Sequence, residues 1–122
     1  MAKKHSPRFL AIVEAAREEI SECSANELLN LIGQGAIVID VRERHEYDSG
    51  HLSGAIHIGK GVIERDIEKF DFSISTKLVL YCGGGFRSAI AAKSLKEMGY
   101  TDVYSLWGGW RGILSEGLET SK

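Results

Sequence analysis

Lys77-Leu-Val-Leu-Tyr-Cys82-Gly-Gly-Gly-Phe-Arg87-Ser-Ala-Ile-Ala-Ala-Lys-Ser-Leu95 joins an apolar run, a glycine-rich turn that carries one cysteine and one arginine, and a helical pattern. Leu78 to Tyr81 is short, continuously apolar and partly β-branched, as a buried strand is, while Ala91, Leu95 and Met98 recur at helical spacing. The order puts Cys82 at a strand-to-helix corner. Gly83, Gly84 and Gly85 allow backbone conformations closed to residues with a Cβ, so a tight turn can aim its N–H groups inward as a nest for negative charge. The helix that follows adds its own free N–H groups and the positive end of its dipole. Both effects stabilise a thiolate.

Outward from this corner, short strands and helices alternate. Ser6 and Pro7 read as the N-cap and first residue of an amphipathic helix from about Pro7 to Glu18, with Phe9, Val13, Ala16 and Ile20 on one face. Ile20 to Cys23 fits a short edge strand, and Ser24-Ala-Asn-Glu27 has the capping-box pattern of a helix that Gly33 and Gly35 end. Ala36-Ile-Val-Ile-Asp40-Val is the strongest strand, apolar at successive positions and so buried on both faces of a parallel sheet, with Asp40 at its carboxyl end. A polar helical stretch from Glu43 to Asp48, a strand from Ala55 to Ile58 and a helix from Val62 to Phe70 follow. After the corner, Gly99 fits a helix C′ position, Asp102 to Leu106 a last strand, and Ile113 to Lys122 a helical turn or two with a frayed polar tail. Such alternation predicts an α/β sandwich with a mostly parallel central sheet.

The totals fit one soluble domain. The 122 residues are 43% hydrophobic, 26% charged and only 8% aromatic, and the net charge of −2 offers no global grip on nucleic acid or an anionic membrane. Any anion site must be local. No segment approaches the roughly 20 apolar residues needed to span a bilayer, and the apolar run behind the basic start is broken by Glu14, Arg17, Glu18 and Glu19, so the expected address is the cytoplasm. Cys23 and Cys82 lie far apart with no CxxC or Cys/His cluster of zinc spacing, which argues against a structural metal.

Cys82 has both ingredients that lower a thiol pKa, a helix N-terminus and a nearby cation. Arg87, at the start of the helix, can fold back over the loop and offer paired donors to an oxyanion or sulfonate. The functional reading is a thiolate nucleophile in an anion-binding cradle; the bland one is a buried strand-end cysteine before a flexible turn. Cys23 lacks the glycines and the arginine and reads as a core or edge residue. His51 and His57 are candidates for a Cys/His pair, but no oxyanion glycine motif accompanies either, and a dipole-activated thiolate needs no base. His5 and His45 lie in charged surface contexts, and Trp107 and Trp110, beside Gly-Gly, read as packing anchors.

Three blocks resemble the rhodanese family of sulfurtransferases. They are Asp40-Val-Arg42-Glu43 with Glu46-Tyr47 and Gly50-His51-Leu52-Ser53-Gly54-Ala55-Ile56-His57-Ile58; Val79-Leu-Tyr-Cys82 with Arg87 and Ser88; and Leu106-Trp-Gly-Gly109. Ser53 and Gly59 stand where the family often has proline, and Ile113 where it has tryptophan, departures that touch loop rigidity rather than chemistry. The likeness implies a five-stranded, mostly parallel sheet flanked by helices, with an N-terminal helical extension over residues 1–19, the rhodanese domain over 20–116 and a flexible tail over 117–122.

By the same resemblance, Cys82 takes a sulfane sulfur from thiosulfate or a persulfide, holds it as a cysteine persulfide with no other cofactor, and passes it to a thiol, a protein or cyanide. Gly83, Gly84, Gly85, Phe86, Arg87 and Ser88 would form the stabilising loop, with Arg87 holding an anionic donor. Asp40, Arg42 and Glu46 would support it, Arg42 and Glu46 as an ion pair. Two other readings remain. A rhodanese-like partner-binding or relay module would turn over little free substrate. A cysteine-loop phosphatase needs five residues between cysteine and arginine, and here there are four, which suits a single sulfur atom better than a phosphoryl group.

Overall fold

The computed structural model describes residues 5–122, so the basic start Met1 to Lys4 lies outside them. Helix α1 (Pro7–Arg17) begins where the Ser6 hydroxyl accepts the Phe9 N–H at 3.3 Å, with Pro7 in the first turn. Strand β1 (Ser21–Cys23) leads to α2 (Ala25–Gly33), whose capping box closes as the Ser24 N–H donates to the Glu27 carboxylate at 2.9 Å. Strand β2 (Ile37–Asp40) is followed by α3 (Arg44–Ser49), capped in the same way by the Glu43 N–H and the Glu46 carboxylate, and then by β3 (His51–Leu52) and β4 (Ile56–His57). Helix α4 (Ile63–Asp66), β5 (Leu78–Tyr81), α5 (Phe86–Glu97), β6 (Val103–Leu106), α6 (Gly109–Ser115) and β7 (Thr120–Ser121) complete the chain.

Five strands form one sheet in the order β1-β6-β5-β2-β4, and every pairing in it is parallel. The sequence reading of an α/β fold with helices on both faces and an added N-terminal helix holds. Side chains alternate across a strand, so β5 divides its residues between two cores. Leu78, Leu80 and Cys82 pack with Ile39, Ile63, Ile67, Ala91 and Leu95 on the side of α4 and α5. Val79 and Tyr81 pack with Val38, Leu28, Leu106 and Ile113 on the side of α2 and α6. A third cluster forms where Val13 and Ala16 of α1 meet Ala89 of α5, all three fully buried. Among the described residues no helix is long and apolar enough to cross a membrane.

Two stretches differ from expectation. The helix expected from Val62 to Phe70 is a single α turn between two tighter 3₁₀ turns, Lys60–Val62 and Ile67–Phe70. Ile63 and Ile67 dock into the core, whereas Phe70 is 43% exposed and stacks on Phe72 at 5.5 Å. With only two anchors and charged residues between them, no further packing extends the α-helix, and Asp71 at φ 56° stops it. The tail expected to fray instead places Thr120 and Ser121 antiparallel to Leu52 and His51. That pairing was invisible in sequence because a two-residue polar strand carries no periodic signal.

Candidate active site

Strand β5 is central in the sheet, and its carboxyl end delivers Cys82 to the N-terminus of α5, the edge at which open parallel sheets place their ligands. The chain turns there because Gly85 adopts φ +100° as the cap residue of α5. A Cβ at Gly85 would lie 3.3 Å from Gly108 N and from Leu106 O, so the turn also packs tightly under β6. The Cys82 sulfur accepts the Gly85 N–H at 3.1 Å and the Ser88 N–H at 3.4 Å. Phe86 and Arg87, first in α5, have N–H groups with no earlier carbonyl in the helix to bind. The loop is therefore a cradle of donors around a sulfur at the positive end of a 12-residue helix.

The first turn of α6 sets the loop's orientation. Trp110 N–H donates to the Cys82 carbonyl at 2.7 Å and Arg111 N–H to the Gly83 carbonyl at 3.3 Å. C=O and N–H of one peptide unit point in opposite directions, so pinning these two carbonyls on α6 turns the N–H groups of Gly83 and Gly84 away from it. Gly109 makes the approach possible: a Cβ there would overlap the Cys82 carbonyl oxygen and stand 2.9 Å from the Gly83 carbonyl.

Ser88 is fully buried, and its hydroxyl oxygen accepts from the Cys82 sulfur at 3.5 Å and shares a hydrogen bond with the Ser105 hydroxyl of β6 at 2.8 Å. Ser105 did not stand out in the sequence. Its signal was a hydroxyl at an inward position of a strand adjacent to β5, readable only once the strand order is known.

Arg87 folds back over the turn, with Nη2 3.8 Å from where a Gly83 Cβ would be. Its Nη1 lies 3.4 Å from Glu46 Oε1, and both side chains are about one third exposed, 36% and 31%. The expected Arg42–Glu46 ion pair is not formed. Arg42 instead grips Asp40, with Nη2 2.7 Å from Oδ2 and Nε 3.0 Å from Oδ1, and donates to the Gly50 carbonyl at 2.7 Å. Strand alternation gives the reason. Asp40 falls on the Tyr81 side of the sheet, where the Arg42 guanidinium lies over the Trp110 ring at 4.7 Å and the Tyr81 ring at 5.6 Å. Asp40 and Arg42 thus hold the scaffold under α3 and α6, and Glu46 alone of the three reaches the cysteine loop's arginine.

Burial alone would raise the Glu46 pKa, but the Glu43 N–H and the Arg87 and Arg42 cations outweigh it and hold the carboxyl below the ordinary range. Burial also opposes the Arg42 charge, and its bonds to Asp40 raise its pKa nonetheless. Cys23 sits in the core beside Leu28, where burial, then Glu27 and Glu22, push its thiol up to about 12. Its thiolate is disfavoured at neutral pH, and its burial matches the core residue read from its sequence context. His51 and His57 are turned elsewhere, the first to the Tyr47 carbonyl at 2.8 Å and the second to the Arg42 carbonyl at 2.7 Å, so neither is a base for Cys82. Trp110 is a packing anchor as expected, whereas Trp107 is 61% exposed.

The cysteine opens on a cavity of about 800 Å³ between the loop, α1, α3 and α6. His5 and Phe9 line it from one side, His45 and Glu46 from a second, and Arg111 from a third. His5 and His45, read in sequence as surface residues, thus join the site because α1 lies along α5 and α3 faces the loop. Nothing local in the sequence carries that placement.

Residues 24–116 match the rhodanese-like domain model. The thiosulfate sulfurtransferase GlpE of Pseudomonas entomophila is 34% identical over 96 residues, which cover 76% of this chain and 86% of the relative. The chain therefore belongs to the rhodanese family of sulfurtransferases. Among solved structures, a Rhodopseudomonas palustris protein of unknown function, called a possible tyrosine phosphatase, superposes with a TM-score of 0.84 at 25% identity over 99% of both chains, α1 included. A thiosulfate sulfurtransferase from Pseudomonas aeruginosa shares the fold at a TM-score of 0.80 and 21% identity, over 93% of this chain and 22% of that one.

Proposed function

We propose that Cys82 carries sulfane sulfur between a small donor, thiosulfate or a persulfide, and a thiophilic acceptor, cyanide in an assay and a thiol or protein in the cytoplasm. The Cys82 thiolate attacks the outer sulfur of thiosulfate; a new S–S bond forms as the old one breaks, and sulfite leaves with the electron pair. The acceptor then attacks the outer sulfur of the persulfide and restores the thiolate. The observation that carries this reading is the pair of backbone donors, Gly85 N–H and Ser88 N–H, on the Cys82 sulfur at the head of α5. Such donors stabilise a thiolate or persulfide before and after transfer without reorganising. Arg87, turned over Gly83, supports this reading, because its guanidinium would offer paired donors to the sulfonate end of thiosulfate.

Cys82→Ser keeps an acceptor for both N–H groups and should fold normally while losing thiosulfate-to-cyanide transfer and the gain of one sulfur mass on the Cys82 peptide. Retained transfer would remove Cys82 from the mechanism. Arg87→Ala should raise the thiosulfate KM with a smaller change in kcat; the reverse split would assign Arg87 to the chemical step. The phosphatase description of the R. palustris neighbour motivates one control. With four residues between Cys82 and Arg87, aryl phosphate hydrolysis should be absent.

A further inference from the structure

Ser105 is a hydroxyl in an apolar place. Strand alternation sets it on the face of Val103, which packs with Leu78, Leu80 and Cys82 beneath α5, and its register partner on β5 is Leu80. It is fully buried, and among the described residues its hydroxyl has one partner, the Ser88 hydroxyl at 2.8 Å. Ser88 in turn stands 3.5 Å from the Cys82 sulfur. A buried hydroxyl costs stability unless it is bonded, and here the bond leads to the reactive atom.

Counting donors gives the chain a direction. Each hydroxyl has one proton to donate and an oxygen that accepts. If Ser88 donates to Ser105, the Ser105 proton is left in the core without an acceptor. If Ser105 donates to Ser88, the Ser88 proton turns to Cys82 and both buried protons are bonded. The first arrangement suits a thiol, whose own proton goes to Ser88. The second suits a sulfur that can only accept, such as a thiolate.

We propose that Ser105 is a positioning residue for the Cys82 thiolate: by donating to Ser88, it turns the Ser88 hydroxyl proton onto the sulfur. The ionised sulfur then has a third donor beside the Gly85 and Ser88 N–H groups. Donors aimed at the ionised form favour it, and a donor that is itself accepting a hydrogen bond is the stronger for it. The connection to turnover rests on the sulfur-transfer reading above. Other charges also face the sulfur. Arg87, Glu46, His45, Arg111 and His5 line the cavity with Cys82, and Glu22 of β1, in register with Ser105, lies 3.4 Å from Arg17. None of these bonds the Ser88 or Ser105 hydroxyl, so substitutions at position 105 leave them in place.

Threonine and valine share a shape and differ in the hydroxyl, so Ser105→Thr and Ser105→Val separate bonding from packing. The measurement is the pH profile of iodoacetamide alkylation, read by mass spectrometry on the Cys82 peptide, which needs no sulfur donor. On the acid limb Ser105→Val and Ser105→Ala should react roughly threefold to tenfold more slowly than wild type, the worth of one modest hydrogen bond, and should lose that deficit in alkali, where the thiol ionises unaided. Ser105→Thr should follow the wild type. If the added methyl prevents folding, Ser105→Ala carries the test with a cycle: in a Ser88→Ala background it should change nothing further. Acid-limb rates that ignore the hydroxyl overturn the proposal. So does an equal slowing by threonine and valine at every pH, which would make Ser105 a packing residue. Thiosulfate-to-cyanide transfer, assayed alongside, should fall in kcat/KM in the same order as alkylation. If alkylation follows the hydroxyl while even the wild type transfers no sulfur, the proposed function fails and the role of Ser105 stands.

Discussion

Arg87 meets the Glu46 carboxylate 3.4 Å away in the resting protein, and under the proposed function it would meet the anionic donor as well. A pair this exposed is worth up to about 1 kcal/mol, so Glu46 restrains Arg87 without sequestering it. Glu46→Gln keeps an acceptor for the Glu43 N–H and should lower the thiosulfate KM by no more than about fivefold, as the cavity loses its one negative charge. Because the folded Glu46 pKa lies below its unfolded value, the pair is complete above the ordinary carboxylate pKa of about 4.3 and is lost as pH falls through the lower folded value. The Gln effect should therefore be present at pH 7 and converge with wild type in acid, once Glu46 itself is protonated. A KM difference that persists in acid would show that the carboxylate charge is not its origin. Both residues of the pair could be nominated from the sequence, but not their pairing. Arg42 was the expected partner, and strand alternation together with the Gly50 carbonyl drew it to Asp40 instead.

At the scale of elements, the cradle is built by three pieces: β5 delivers Cys82, α5 supplies N–H groups, and α6 clamps the loop's carbonyls from behind. The clamp depends on Gly109. Its φ of +49° and the overlap that any Cβ would make with the Cys82 carbonyl oxygen leave no room for a side chain. Gly109→Ala should cost about 1–3 kcal/mol from the backbone conformation alone and more from displacing the loop. A lowered melting temperature and a fall in kcat at temperatures where the variant is still folded are the expected readings. Unchanged kcat in a folded variant would mean that α6 does not set the loop's orientation. The sequence located the Gly108-Gly109 stretch and its place after the last strand. That the second glycine touches Cys82 depends on β6 lying beside β5, which only the sheet order provides.

On the scale of the whole molecule, α1 extends the compact sheet and helices and at the same time walls the cavity. Val13 is fully buried against α5, so Val13→Asp would bury an unpaired carboxylate there at a cost of several kcal/mol unless α1 lets go. Release is the cheaper outcome, because β5 keeps its neighbours β2 and β6 without α1. Hydrogen exchange should then show residues 7–17 unprotected and β5 still protected; simultaneous loss in both would make α1 part of the same cooperative unit. What the sequence by itself determined were the strand, the turn and the helix around Cys82, the caps of α1 and α2, and the alternation that makes the sheet parallel and two-sided. These follow from residues within a few positions of one another, whose spacing and backbone freedom act locally. Only the tertiary structure decided that Arg42 serves Asp40, that Ser105 backs Ser88, that β7 pairs with β3, and that His5, Phe9 and Arg111 face Cys82. Each of those joins residues whose meeting depends on the order of strands and the packing of helices across them, which no local pattern in the chain records.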